Sequence, residues 1–136
     1  IYFYIWFSDS GMRGQNMYLH RILRIDWVEA EATWNIYKSG SSWSTAGCSS
    51  DGNDYTTTNV VTSTVPAGYG WKSVDITNLW NDAIDAGATS LNIRLAGPTW
   101  GSAYAFYVYG RAHASYKPYI SYTELSTFKP KIIVMQ

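Results

Sequence analysis

The sequence predicts an all-β fold, an antiparallel sandwich or barrel with one short helix. Short runs rich in β-branched and aromatic residues recur along its 136 residues, separated by clusters of Gly, Ser, Asn and Asp. Aromatic residues make up 17% of the chain, which excludes intrinsic disorder. Ala, Leu, Glu and Lys are too scarce for a helical bundle. The length fits a single domain.

The strands are predicted from apolar runs and from the turn residues that end them. The first, residues 1–7, ends at a Ser-Asp-Ser-Gly run. The second, residues 17–25, alternates, with its odd-numbered side chains on the apolar face and His20 on the polar face. Six more are predicted at residues 33–37, 59–65, 71–74, 91–96, 103–109 and 118–122.

One helix is predicted where an apolar stripe has helical spacing. Asp75 or Thr77 can cap its N-terminus, and Gly87 stands where the helix is expected to end. The stripe consists of Leu79, Trp80, Ala83 and Ile84. We expect these four side chains to cover the core.

The charge balance argues against nucleic acid or membrane as a partner. Ten Lys and Arg residues balance ten Asp and Glu residues, so the chain lacks the basic excess that both partners attract. No apolar run approaches the ~20 residues that span a bilayer. Cys48 is the only cysteine, which excludes an internal disulfide and a cysteine zinc cluster.

Candidate catalytic residues are few. His20 and His113 stand outside any metal or nucleophile motif. Glu29 and Glu31 form one acid pair, because residues i and i+2 of an extended chain project from one face about 6–7 Å apart. The pair leaves an acid–base hydrolase open as an alternative, but we expect the protein not to be an enzyme.

A short acidic loop offers oxygen ligands for a cation. Asp51, Asn53 and Asp54 lie within four residues, and Ca²⁺ accepts six to eight oxygens with tolerant geometry. Calcium is therefore the one cofactor that the sequence suggests. The alternative is a turn in which these side chains bond to their own backbone.

Aromatic residues in the loops are the predicted ligand-binding residues. Rings in or beside turns can stack on the apolar face of a sugar while a nearby guanidinium binds polar groups. The candidates are Trp43, Tyr55, Tyr69 and Trp100, with Arg94 as the polar partner. The alternative is that these rings belong to the core or to an interface.

The order of four segments resembles the DNRLRE-domain family. The segments are DWVEAEATWN at 26–35, WSTAG at 43–47, WKSVDITNLW at 71–80 and KPYISY at 117–122. The family consists of jelly-roll β-sandwich modules in secreted and cell-surface proteins of bacteria and archaea, and it overlaps the alginate-binding modules. The resemblance implies a non-catalytic, extracellular, jelly-roll-like sandwich in which Glu31 braces a loop.

The resemblance covers about the C-terminal two thirds of such a module. It therefore implies a sandwich over residues 1–124 that lacks the family's first strands, with 125–136 as an extra strand or tail. Missing strands would leave sheet edges unpaired. We expect another chain, or another part of this one, to supply that pairing, and residues 129–136 to donate a strand in return.

Two functions follow as expectations. The first is a carbohydrate-binding module that binds polysaccharide or attaches its protein to a surface. The alternative is a structural subunit of an extracellular assembly, such as a virion decoration or fibre protein or a filament protomer. An oligomer, or a part of a larger chain, suits the low charge and the many aromatic residues.

Overall fold

The structure is a computed structural model and describes residues 1–10, 12–97 and 106–123. Trp100, residues 125–136 and the first three residues of the predicted strand 103–109 lie outside these residues. The elements within the described residues are β1 (Tyr2–Ser10), β2 (Asn16–Ile22), β3 (Ile36–Lys38), β4 (Ser41–Ser42), β5 (Tyr55–Thr64), β6 (Gly70–Asp75), α1 (Thr77–Asp85), β7 (Ile93–Ala96), β8 (Phe106–Val108) and β9 (Tyr119–Ser121). No helix in this part of the chain is long and apolar enough to cross a bilayer.

The first sheet is built around β1. Strand β6 pairs antiparallel with β1 from Tyr2 to Phe7 on one side. On the other side, β9 pairs with residues 2–4 and β8 pairs with Phe7 and the two residues after the bulge, Asp9 and Ser10. Both edges of β1 are therefore occupied by strands of the same chain, so the expected missing partner is not needed there.

The second sheet places β2 between β5 and β7, again antiparallel. Its register shifts between Leu19 and Arg21, which is a bulge, and β2 ends at Ile22. The predicted strand 17–25 is therefore three residues too long, and Ile25 is exposed instead of lying on the apolar face. Arg21, which pairs with β7 without a register shift, forms an ion pair with Asp82 of α1.

The two sheets close on one core. Ile5 and Phe7 of β1 meet Met17 and Leu19 of β2, and all four side chains are almost fully buried. The rest of the core cluster consists of Val65 directly after β5, Val74 of β6, Ile76 directly before α1 and Leu79 of α1. The predicted all-β antiparallel fold with one short helix is confirmed, while the jelly-roll connection between its strands stays a prediction.

Helix α1 covers only part of the core. Leu79 and Ala83 are buried, but Trp80 and Ile84 are exposed, so half of the predicted apolar stripe faces solvent. Asp75 accepts a hydrogen bond from the Thr77 N–H at 2.9 Å, although Ile76 is the residue at the N-cap. Gly87 adopts a left-handed φ of 69° and ends the helix in the predicted place. Its N–H donates a hydrogen bond to the Ile84 carbonyl.

Strands β3 and β4 form a small hairpin that is tied to the loop after it. Gly47, with a left-handed φ of 77°, donates its N–H to the Trp34 carbonyl at 2.6 Å. The indole of Trp34 lies directly over the Gly47 Cα, so a β-carbon at this position would overlap the ring. Only glycine satisfies both the backbone angle and this close approach.

We predict that Gly47→Ala lowers the free energy of unfolding by about 2–3 kcal/mol, because the left-handed backbone and the overlap with Trp34 both penalise a methyl group. Chemical denaturation measures the change. Gly68→Ala is the matched control, since Gly68 has open space around it and no left-handed φ. Equal effects of the two substitutions would contradict the prediction.

Candidate functional site

The outer face of the second sheet carries a cluster of aromatic and cationic side chains. Because Met17 and Leu19 point into the core, Tyr18 and His20 of β2 project from the opposite face. The register of β7 sets Arg94 directly beside His20. Tyr55, at the start of β5, completes the cluster from the other side of β2.

Contacts within the cluster fix the position of Arg94. Its guanidinium lies over the ring of Tyr55, 4.6 Å from the ring centroid. Its Nη1 donates to Nδ1 of His20 at 3.3 Å, and His20 meets Tyr55 edge-on at 4.7 Å between centroids. Arg94 is only 9% exposed, so a guanidinium is held in place at the sheet surface.

These side chains border a cleft of about 340 Å³. Its lining consists of Tyr18, His20, Tyr55, Thr57, Val60, Arg94, Ala96 and Gly97. Aromatic rings, one guanidinium and a hydroxyl thus face the same space, which is the mixture of apolar wall and few fixed polar groups that small-molecule sites use. Nearby, both carboxylate oxygens of Asp51 accept hydrogen bonds from Thr57.

His20 is uncharged in this setting near neutral pH. Burial and the neighbouring charge of Arg94 lower the pKa of His20, against a weaker opposing effect of Asp51. Since Arg94 can only donate, Nδ1 of His20 must accept, and the ring proton of the neutral form is on Nε2. His20 lies on the predicted polar face of β2, opposite Met17 and Leu19, but Tyr55 and Arg94 from the adjacent strands bury its ring to 8% exposure.

We predict that the free energy of unfolding falls as the pH drops from about 6.5 through the lowered pKa of folded His20, because the unfolded chain binds the proton more readily. Above about pH 6.5 His20 is neutral in both the folded and the unfolded chain, so it adds no pH dependence to the free energy of unfolding. Denaturation curves between about pH 8 and about pH 5.5 measure the effect, above the range around pH 4 in which carboxylates titrate.

The matched variant for this pH dependence is His20→Gln, whose side-chain oxygen can still accept from Arg94 but does not titrate. We expect a flatter pH dependence in this variant than in the natural chain. An identical slope in both proteins would contradict the assignment to His20.

The structure brings two of the predicted ligand-binding residues together and leaves Trp43 and Tyr69 apart from them, while Trp100 lies outside the described residues. Tyr55 and Arg94 share the cleft. Trp43 instead donates its indole N–H to the Thr33 carbonyl at 3.0 Å, which braces the β3–β4 hairpin. Tyr69 is exposed in the turn before β6, away from the cleft lining. Tyr18 and His20 were missed, although the alternation with Met17 and Leu19 is a signal for both.

The predicted calcium ligands have other partners in the structure. Asp54 is fully buried, and its carboxylate accepts hydrogen bonds from the backbone N–H groups of Ser44, Thr45 and Ser50. Asn53 donates to the Ser50 hydroxyl. No group of three His, Cys, Asp or Glu side chains among the described residues is arranged to hold a metal ion. A calcium site in this loop stays a prediction.

Asp54 organises the long loop after β4. Burial opposes its ionisation, but the hydrogen bonds from Thr45, Ser44 and Ser50 outweigh it and lower the pKa of Asp54. The Cys48 thiol lies 3.8 Å from the Asp54 carbonyl. Burial, with the charge of Asp54, raises the pKa of Cys48 to about 11, so the thiol stays protonated and unreactive near neutral pH.

We predict that Asp54→Asn lowers the free energy of unfolding by about 2–3 kcal/mol, because an amide cannot accept from all three N–H groups that bond to the buried carboxylate. Thermal or chemical denaturation measures the loss. Asp51→Asn is the control, since Asp51 is exposed and water can replace its contacts to Thr57. A loss at Asp51 as large as at Asp54 would count against this account.

The two carboxylates of the acid pair bond to different partners. Glu29 is paired with Arg111 at 2.6 Å on the surface. Glu31 accepts the Ser39 N–H at 2.7 Å. The expected role of Glu31 in bracing a loop is confirmed, and the two carboxylates have different partners.

Comparisons with protein-family models, with curated proteins and with solved structures found no match to this chain. The resemblance to the DNRLRE family therefore rests on its four sequence segments. Those segments form the region around the β3–β4 hairpin, β6 with the start of α1, and β9. None of the residues that line the cleft belongs to them.

Proposed function

We propose that the chain is a non-catalytic extracellular module that binds an acidic polysaccharide in the cleft on β2, β5 and β7. The observation that carries the proposal is Arg94, a guanidinium held over the Tyr55 ring and hydrogen-bonded to His20 within that cleft. Carbohydrate modules need a ring or planar group for the apolar sugar face and fixed donors for its oxygens. The cleft offers both.

An acidic sugar suits this site better than a neutral one. A planar guanidinium matches the two oxygens of a carboxylate and forms stronger, charge-assisted hydrogen bonds with it than with a hydroxyl. Neutral His20 adds an Nε2–H donor without a second cation. The Thr57 hydroxyl on the cleft wall donates its proton to Asp51, so toward a sugar hydroxyl it can only accept.

The fixed position of Arg94 favours binding. A long, free arginine loses side-chain entropy when it engages a ligand, at a cost of about 0.5–1.5 kcal/mol. Stacking on Tyr55 and the bond to His20 restrict Arg94 before any ligand arrives. The negative charge of Asp51 nearby tempers the attraction, so we expect weak binding per site and stronger retention on long polymers.

Affinity electrophoresis in gels that contain alginate, polygalacturonate or a neutral glucan tests the proposal. We predict retardation in the two acidic gels and at least about tenfold weaker binding in Val60→Trp, which fills the cleft from an exposed strand position. Arg94→Gln removes the charge and is expected to weaken binding to the acidic polymers by a similar factor.

Tyr69→Ala is the matched control, because it removes an exposed ring outside the cleft. Melting temperatures verify that each variant is folded. Equal retardation of the natural chain and Val60→Trp would contradict a role for the cleft, and loss of binding in Tyr69→Ala alone would move the site to the turn before β6.

A further inference from the structure

The outer face of the first sheet carries a second aromatic surface, on the side of the molecule opposite the cleft. Because Ile5 and Phe7 point inward, the even-numbered residues of β1 point outward. We call this surface the aromatic face, and it consists of Tyr2, Tyr4, Trp6, Trp71, Tyr107, Tyr116 and Tyr119.

Rings of the aromatic face stack on one another. Tyr4 and Tyr119 lie 4.6 Å apart and nearly parallel, and Trp6 and Tyr116 lie 4.0 Å apart at 14°. Trp71 meets Trp6 edge-on at 5.5 Å. A ring face that is covered by a neighbouring ring cannot stack on a sugar, so this surface fits a protein partner better than a glycan.

The aromatic face has a raised half and a low half. The register sets Trp71 beside Trp6, and Tyr116 stacks on Trp6, so large rings raise this half. Toward the other end, Ser73 flanks Tyr4 on the β6 side and Ser121 flanks Tyr2 on the β9 side, so the surface there is lower. A two-fold rotation would set the raised half of one copy on the low half of the other.

Charge and area also suit a second copy. Within β6 and β9 as the structure describes them, Asp75 is the one charged residue at an outward position, and its carboxylate is hydrogen-bonded to Thr77 at the margin. Tyr2, Trp71, Tyr107 and Tyr119 are 41% to 59% exposed. With about 150–250 Å² per ring, these four side chains supply roughly 300–500 Å² of the ~800 Å² that each partner buries in a standard interface.

We propose that two copies of this chain pair through their aromatic faces as a closed, two-fold dimer. The pairing is isologous, so each copy contributes the same raised and low halves. Serine-rich and ring-rich patches interdigitate as the facing sheets of a β-sandwich do. The inference does not depend on glycan binding, since the cleft lies on the other sheet.

Sedimentation velocity and light scattering across micromolar concentrations test the dimer. The natural chain is expected at twice its mass of 15.3 kDa. Trp71→Glu places a charge in the interface and should raise the dissociation constant at least about a hundredfold. Ile84→Glu is the control, because Ile84 is an exposed apolar residue on α1, outside the face.

Ser73→Trp distinguishes a shape-complementary dimer interface from non-specific association of apolar surfaces. Filling the low half with a ring should weaken a two-fold dimer by about tenfold or more, although it adds apolar area. Tighter association of Ser73→Trp would overturn the proposal. So would a monomeric natural chain, an open-ended series of oligomers, or a Trp71→Glu protein that folds and still pairs as the natural chain does.

Discussion

Burial of the odd-numbered side chains of β1 and β2 between the two sheets is the interaction on which this molecule depends. Ile5 and Phe7 from one sheet and Met17 and Leu19 from the other form its centre. Side chains alternate along a strand, so this burial also determines what faces outward. Both proposed binding surfaces, the cleft and the aromatic face, are therefore formed by the side chains that alternate with the same core.

The sequence predicted most of the elements, because they depend on local patterns. The apolar run of β1, the helical stripe and Gly87 each act within a few positions of the element that they define or end. The Ser-Asp-Ser run that was expected to end β1 at residue 7 belongs to the strand instead, because β1 continues to Ser10 and pairs there with β8. The pattern failed where partners came from elsewhere. His20 looks like an exposed strand residue until the register of β7 and β5 brings Arg94 and Tyr55 onto it.

The candidate site could be predicted only residue by residue. Tyr55 and Arg94 were candidates for separate reasons, and 39 positions separate them in the chain. Their contact depends on β2 lying between β5 and β7, a non-local pairing that composition and spacing do not specify. Trp43 was a candidate that the structure places elsewhere. Its indole braces the β3–β4 hairpin, and the Gly and Ser residues around it did not predict that geometry.

The placement of the cleft and the aromatic face on opposite sheets has a thermodynamic consequence. A close-packed core about 10 Å thick separates the two surfaces. Ligands on opposite sides neither compete sterically nor share side chains, and coupling requires a rearrangement that both can bias. Under the two proposals, the free energies of polysaccharide binding and of dimerisation are therefore additive.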